Sequence, residues 1–203
     1  MHHYQFHLIT DDRIINLPEF IVHIIDCGIT TVQLRNKNSD KLFLYEIGKK
    51  ILKITQQKKI PFLINDHVDV ALALDADGVH IGQTDLPYHA ARKILGKKKI
   101  IGLSIQNMEQ AKNAIHYDAN YFGVGPLFPS RTKSDVSAIG LNNLNDITQI
   151  LNKPCIAIGG IEIHHVKTIL NQGAEGVAVI NGVFNADNPR TAALNYAKEL
   201  IGE

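Results

Sequence analysis

Phe62-Leu63-Ile64-Asn65-Asp66-His67-Val68-Asp69-Val70-Ala71-Leu72-Ala73-Leu74-Asp75-Ala76-Asp77-Gly78-Val79-His80-Ile81 is the stretch that decides the architecture. Phe62 to Ile64 is a short apolar run, as a strand covered on both faces must be. A helix is expected to begin near Val68, an Asp75-Ala76-Asp77 turn follows, and Gly78 to Ile81 is apolar again. Strand, helix and returning strand make one βα unit of a parallel sheet.

The same rhythm extends in both directions. Strands are expected at Gln5 to Ile9, Thr31 to Arg35, Ile100 to Leu103, Tyr121 to Val124, Cys155 to Ile158 and Gly176 to Ile180. Ser39-Asp40 predicts the cap of a long helix reaching about Lys58, with Leu42, Tyr45, Ile47, Ile51, Leu52 and Ile54 as its apolar stripe. Other helices are expected near Pro18, Tyr88, Met108, Leu144, His164 and Pro189. Eight strands alternating with eight helices close most economically into an α/β fold, a (β/α)8 TIM barrel formed as a single domain over residues 1–203. A doubly wound Rossmann sheet would want Gly-x-Gly-x-x-Gly after the first strand, and the turn there is Thr10-Asp11-Asp12-Arg13.

With 21 basic and 20 acidic side chains the formal charge is +1, so no long-range field draws the chain to nucleic acid or an anionic membrane. Any bound anion must be gripped locally. Cys27 and Cys155 lie in apolar segments without metal-finger spacing and predict buried free thiols in a reducing compartment. The start, Met1 to His7, has no signal-peptide pattern, and no apolar run reaches the ~18 residues of a membrane span. A cytoplasmic location is expected.

Barrels of this kind do their chemistry at the C-terminal ends of the strands. Strand alternation puts Gln33, Arg35 and Lys37 on one side, where they would set two cations in the mouth; the bland alternative is that the cations solvate a strand end. Asp66 and Asp85 follow neighbouring strands, which lie about 4.8 Å apart, and two such carboxylates suit Mg²⁺ completed by phosphate oxygens. Alternatively Asp66 caps a helix and Asp85 shapes the turn before Pro87. Ser104 offers a hydroxyl, though a lone serine there is more often a cap. The loop from Gly123 to Lys133 combines Gly, Pro, hydroxyls and cations and could close over an anion or simply be solvated. Gly159-Gly160-Ile161 and Asn181-Gly182 suggest a phosphate cup of backbone amides, or a packing turn.

One anion site rich in cations and a second built from backbone amides suggest two phosphorylated substrates. A metal with Arg35, Lys37 and Lys133 would neutralise a departing diphosphate, while the amides would hold a monophosphate. No Cys-His or Ser-His-Asp arrangement presents itself as an acid-base engine, so ionisation and positioning are expected to carry the reaction.

Gln33-Leu34-Arg35-Asn36-Lys37, Leu63 to Ala71, Asp77 to Asp85, Gly123 to Pro129 with Thr132-Lys133, and Ala157 to Ile161 resemble, in this order, the successive signatures of the thiamine-phosphate synthase family, over nearly the whole chain. The resemblance implies an enzyme that joins 4-amino-2-methyl-5-(diphosphooxymethyl)pyrimidine to a thiazole phosphate, giving thiamine monophosphate and pyrophosphate. Its chemistry would be a pyrimidine cation, stabilised by its own amino group, captured by the thiazole nitrogen. Gln33, Leu34, Arg35, Asn36, Lys37, Asn65, Ser104 and Lys133 would bind the pyrimidine diphosphate, with Lys133, Arg35, Lys37 and Ser104 catalytic. Asp66 and Asp85 would hold Mg²⁺. Ser130, Arg131, Thr132, Gly160, Ile180 and Asn181 would surround the thiazole phosphate. The chain departs from the family pattern at His67, where Arg is usual, Ser130, where Thr is commoner, and Asn181, where Ser is usual; its lead-in to the first strand is also short. Those departures bear on thiazole-phosphate affinity and subunit packing. Small phosphorylated substrates are the expected partners, with a homodimer left open. A thiazole tautomerase-like enzyme and a non-catalytic binder of thiamine-related ligands are the competing readings; the tautomerase lacks much of the diphosphate apparatus.

Overall fold

The computed structural model describes residues 4–11, 13–129 and 138–202. Its strands are β1 (Phe6–Ile9), β2 (Thr31–Leu34), β3 (Phe62–Asn65), β4 (Gly78–Ile81), β5 (Ile100–Ile105), β6 (Tyr121–Val124), β7 (Cys155–Ile158) and β8 (Gly176–Val179). Each pairs in parallel with its neighbour in sequence, and β8 pairs with β1 through Phe6↔Val177, His7↔Ala178 and Leu8↔Val179, which closes the expected barrel. The helices are α1 (Leu17–Ile24), α2 (Lys41–Lys58), α3 (Val68–Leu74), α4 (Tyr88–Leu95), α5 (Met108–Ala114), α6 (Gly140–Ile150), α7 (Val166–Asn171), α8 (Asn181–Phe184) and α9 (Pro189–Ile201). Among the described residues no helix is long and apolar enough to cross a membrane.

Local chemistry sets several of these boundaries. Asp40 accepts from Phe43 N at 2.8 Å to start α2, and Asn107 and Asn188 cap α5 and α9 in the same way. Lys59 and Asp75 stop α2 and α3 in the left-handed conformation. The stripe expected for α2 packs on the core at every position but Leu42. Its buried face is Leu44, Gly48, Ile51 and Thr55, whereas Leu42 is exposed. Residues three to four apart share one helix face, and Tyr45, Ile47, Leu52 and Ile54 flank that row, partly buried against the core. Gly48 permits the close approach: a Cβ there would stand 2.6 Å from Leu74 Cδ1 on α3.

Other boundaries also shift. α6 begins at Gly140 rather than near Leu144; a 3-10 turn, Ile163–His165, leads into α7; and α8 was not expected. β5 runs on to Ile105 and so takes in Ser104, while β2 ends at Leu34, leaving Arg35 just beyond it.

Alternation along the strands divides the apolar residues into two clusters. Phe6, Leu8, Val32, Leu34, Ile64 and Val79 face the helices as part of the main core. Ile9, Leu63, Tyr121, Ile156 and Ala178 fill the lumen, with Tyr4 stacked on Tyr121 at 4.9 Å. Buried polar groups share that interior: His7, Gln33 and His80. Toward the C-terminal ends of β2 to β5 the lumen positions become polar, with Gln33, Asn65, His80 and Ser104.

Candidate active site

Gln33 lies within β2 and is almost wholly buried, facing the lumen, and its Nε2 donates to Asn65 Oδ1 on β3 at 3.1 Å. Arg35 is held by its backbone: Arg35 N donates to Thr10 Oγ1 at 2.9 Å, and that hydroxyl donates back to Arg35 O at 3.1 Å. One residue at the end of β1 thus fixes where the first cation of the trio leaves the barrel. Lys37, further out, pairs with Asp66 at 3.6 Å. The members of the expected trio do gather at one rim.

Two neighbours in that motif behave differently. Leu34 points outward into the helix-facing core beside α2, as strand alternation requires. Any ligand contact at position 34 would therefore come from its backbone. The Asn36 carboxamide is used locally, accepting from Asn38 N and Ser39 N, each at 3.0 Å.

Asp66 follows β3 with a left-handed backbone, φ 65°. It does not cap α3, whose N-cap position is His67, without a side-chain cap bond. Its carboxyl titrates above the ordinary value, chiefly because it is desolvated and then because it hydrogen-bonds and shares charge with the Asp85 carboxyl; Lys37 and His67 pull the other way. Asp85 is also the turn residue that the blander alternative describes, since its Oδ2 accepts from Gly82 N at 2.6 Å. Two carboxyls in contact form a hard-oxygen donor pair short of positive charge, which is the chemistry a divalent cation fits. Among the described residues no set of three or more His, Cys, Asp or Glu side chains gathers that could hold an ion.

Ser104 is not a helix cap; Asn107 serves that purpose for α5. Its Oγ lies 2.9 Å from His80 Nε2 in the lumen, and Gln83 Nε2 donates to Ser104 O at 2.5 Å. His80 Nδ1 in turn meets the Tyr121 hydroxyl at 2.9 Å. His80 and Tyr121 escape a reading based on motif spacing, although period-two alternation through Val79 and Ile81 does put His80 inside the barrel.

Across the mouth, a cavity of about 310 Å³ is lined by Pro129, Gly159, Gly160, Ile180, Asn181, Gly182 and neighbouring residues. The structure thus brings together Gly160, Ile180 and Asn181 from separate parts of the chain. Gly160 has φ 63°, and a Cβ there would stand 2.8 Å from both Phe128 Cβ and Pro129 O. The glycine is accordingly a packing residue as well as a wall of the cavity. Leu127 N and Phe128 N donate to Ile158 O and Gly159 O at 2.9 and 3.1 Å, fastening the start of the loop after β6 to this wall. Ser130, Arg131, Thr132 and Lys133 lie outside the described residues.

Asn181 has a partner that sequence spacing gives no signal for. Arg13 Nη2 donates to Asn181 Oδ1 at 3.0 Å and also pairs closely with Asp11, whose carboxyl is held below its ordinary value by that guanidinium. The turn after β1 is thereby tied to the start of α8, across the β1–β8 seam.

Comparison with known proteins places this arrangement. The family profile described as thiamine monophosphate synthase matches residues 6–183. The chain is similar to thiamine-phosphate synthases from Alkaliphilus oremlandii, 39% identical over 94% of this chain and 92% of the relative, and Clostridium acetobutylicum, 40% identical with the same coverage. Among solved structures it is similar to a thiamine phosphate pyrophosphorylase from Pyrococcus furiosus, with TM-score 0.92, 36% identity, and coverage of 98% of this chain and 96% of that one. The fold, the order of its motifs and these relatives lead to one conclusion: the chain belongs to the thiamine monophosphate synthase family.

Proposed function

We propose that this barrel is a thiamine-phosphate synthase, condensing 4-amino-2-methyl-5-(diphosphooxymethyl)pyrimidine with a thiazole phosphate to give thiamine monophosphate and pyrophosphate. The observation that carries the reading is the meeting, at one end of one lumen, of Gln33 with Asn65, Lys37 with Asp66, and Ser104 with His80, opposite the cavity of Gly160, Ile180 and Asn181. The first set has the charge and the hydrogen-bonding groups for a pyrimidine diphosphate, and the second has the size for a smaller phosphate ester.

In this reading the diphosphate C–O bond breaks, both electrons leave with pyrophosphate, and the thiazole nitrogen forms the new C–N bond. Arg35, Lys37 and Lys133 stabilise charge developing on the leaving group, and Ser104 donates a hydrogen bond to it. Gln33 and Asn65 orient the pyrimidine, with Gln33 Oε1 and Asn65 Nδ2 left over by their mutual bond. The backbone at Leu34 and Asn36 shapes the wall beside them. Asp66 and Asp85 would hold Mg²⁺, which when bound would neutralise diphosphate charge. Gly160, Ile180 and Asn181, with Ser130, Arg131 and Thr132, seat the thiazole phosphate. No protein base is needed, because the attacking nitrogen carries no proton.

Buried free thiols at Cys27 and Cys155 suit a reducing cytoplasm as the working compartment. Mixing purified protein with both substrates and Mg²⁺ and following pyrophosphate and thiamine monophosphate tests the proposal. Stoichiometric appearance of both is expected. Tight binding of either substrate without pyrophosphate release would instead favour a non-catalytic binder.

A further inference from the structure

Tyr121, His80 and Ser104 form a chain of hydrogen bonds whose direction is set at its buried end. The links are 2.9 Å from the Tyr121 hydroxyl to His80 Nδ1 and 2.9 Å from His80 Nε2 to Ser104 Oγ. Tyr121 is 1% exposed, and its hydroxyl has no hydrogen-bond partner but His80 among the described residues. If that hydroxyl merely accepted from Nδ1, its own hydrogen would be buried and unsatisfied, which is the costly arrangement. Burial also raises the pKa of Tyr121 far above its ordinary value, so the phenol keeps the proton it donates. His7 packs beside the Tyr121 ring at 5.5 Å, yet among the described residues neither of its nitrogens makes a hydrogen bond to compete for that proton.

The barrel has made room for both rings. At Gly102 on β5 a Cβ would stand 2.1 Å from Tyr121 Cζ, and at Gly123 on β6 a Cβ would stand 2.9 Å from His80 Cε1. Tyr4 stacks on Tyr121 from the other side. Both rings are thus closely packed where they make their hydrogen bonds.

We propose that Tyr121 and His80 are positioning residues for Ser104: the phenol donates to Nδ1, the imidazole proton is thereby placed on Nε2, and Nε2–H donates to Ser104 Oγ, turning the serine's own proton toward the mouth of the barrel. The opposite tautomer would let Ser104 spend its proton on His80 and leave only lone pairs to face an anion. This rests on the reading that Ser104 faces the departing diphosphate.

Two-bond ¹H–¹⁵N correlation of labelled full-length protein at about pH 8 reads the tautomer without reference to activity. The His80 signals are assigned by their loss in His80→Gln. The expected result is an unprotonated Nδ1 and a protonated Nε2. In Tyr121→Phe the other tautomer should become populated, and kcat should fall at least roughly ten-fold while KM for the pyrimidine diphosphate stays within about two-fold. Adding Tyr121→Phe to Ser104→Ala should cost little more than Ser104→Ala alone. A protonated Nδ1 in the parent, an imidazolium, or a Tyr121→Phe enzyme with parental kcat would overturn the proposal. Should Tyr121→Phe fail to fold, the parent spectrum alone decides. A parent that released no pyrophosphate would remove the proposed function, while the tautomer would still show which way the chain runs.

Discussion

His7 is the residue whose environment makes the firmest demand on solution behaviour. Both its ring nitrogens are buried without a hydrogen-bond partner among the described residues, and burial, followed by the nearby His80, pushes its pKa down from 6.5 to about 3. Below pH 6.5 the unfolded chain therefore takes up a proton that the folded barrel refuses, and stability falls with pH until about 3, by at most ~1.4 kcal/mol per pH unit for one such group. His7→Leu should flatten urea-unfolding stability between about pH 6 and 4 and raise it at neutral pH, because it also removes unsatisfied buried nitrogens. An unaltered slope would mean that the barrel accepts the proton after all. Asp66 gives the opposite sign. Its folded pKa is raised, so the folded state prefers the neutral acid and loses stability as pH rises through that value. Asp66→Asn mimics the neutral acid and tolerates φ 65°, so without divalent cation at about pH 8 it should melt higher than the parent while pyrophosphate release collapses. Asp66→Ala should lose activity equally but melt lower than Asp66→Asn, since alanine pays about 1–2 kcal/mol in the left-handed region. If melting of Asp66→Asn in chelator matched the parent's, the two carboxyls would not be in conflict.

At the level of elements, the strands are set apart by what each inward position must accommodate. Gly102 on β5 lies under the Tyr121 ring, so Gly102→Ala forces a buried aromatic off its seat and should cost about 1–3 kcal/mol, visible as a lower urea midpoint with an unchanged m-value. A parental midpoint would show that β5 and β6 can separate freely. The same strand-by-strand logic explains what the sequence made legible. Cys155 to Ile158 is apolar throughout and Gly78 to Ile81 is so except for lumen-facing His80, because both faces are covered, and the boundaries of both stand as read. The α2 stripe was read correctly except at Leu42, because apolar residues continue beyond the buried face at its first turn and only tertiary contact distinguishes buried Leu44 from exposed Leu42. α6 starts early without a capping side chain, and α8 is too short to show periodicity, so neither announces itself. In the candidate site, the gathering of Gln33, Lys37, Asn65, Asp66, Asp85 and Ser104 at one rim was legible because strand ends converge in any closed barrel. The outward direction of the Leu34 side chain follows from strand alternation and leaves only its backbone to the mouth. The grip of Arg13 on Asn181 joins the two ends of the chain and leaves no local trace.

For the molecule as a whole, a formal charge of +1 means that neither anion is drawn in by a general field, so each must be recognised by its own local chemistry. The two regions differ in kind: Lys37, Asp66 and Asp85 combine one cation with two carboxyls, whereas the cavity of Gly160, Ile180 and Asn181 has neutral side chains at those positions. Inorganic pyrophosphate should therefore stabilise the barrel only together with Mg²⁺, because without the cation the carboxyls repel it. A thiazole phosphate should stabilise it with or without Mg²⁺. A ligand at about a hundred times its Kd adds about 2.7 kcal/mol, which for a chain of this size raises Tm by roughly 5–10 °C. Melting curves with each anion, with Mg²⁺ and with chelator, give four shifts to compare. Asp66→Asn should erase the Mg²⁺-dependent pyrophosphate shift and leave the thiazole phosphate shift intact. Equal pyrophosphate shifts in Mg²⁺ and chelator would show that basic side chains alone hold the diphosphate, and the two carboxyls would lose their assigned role.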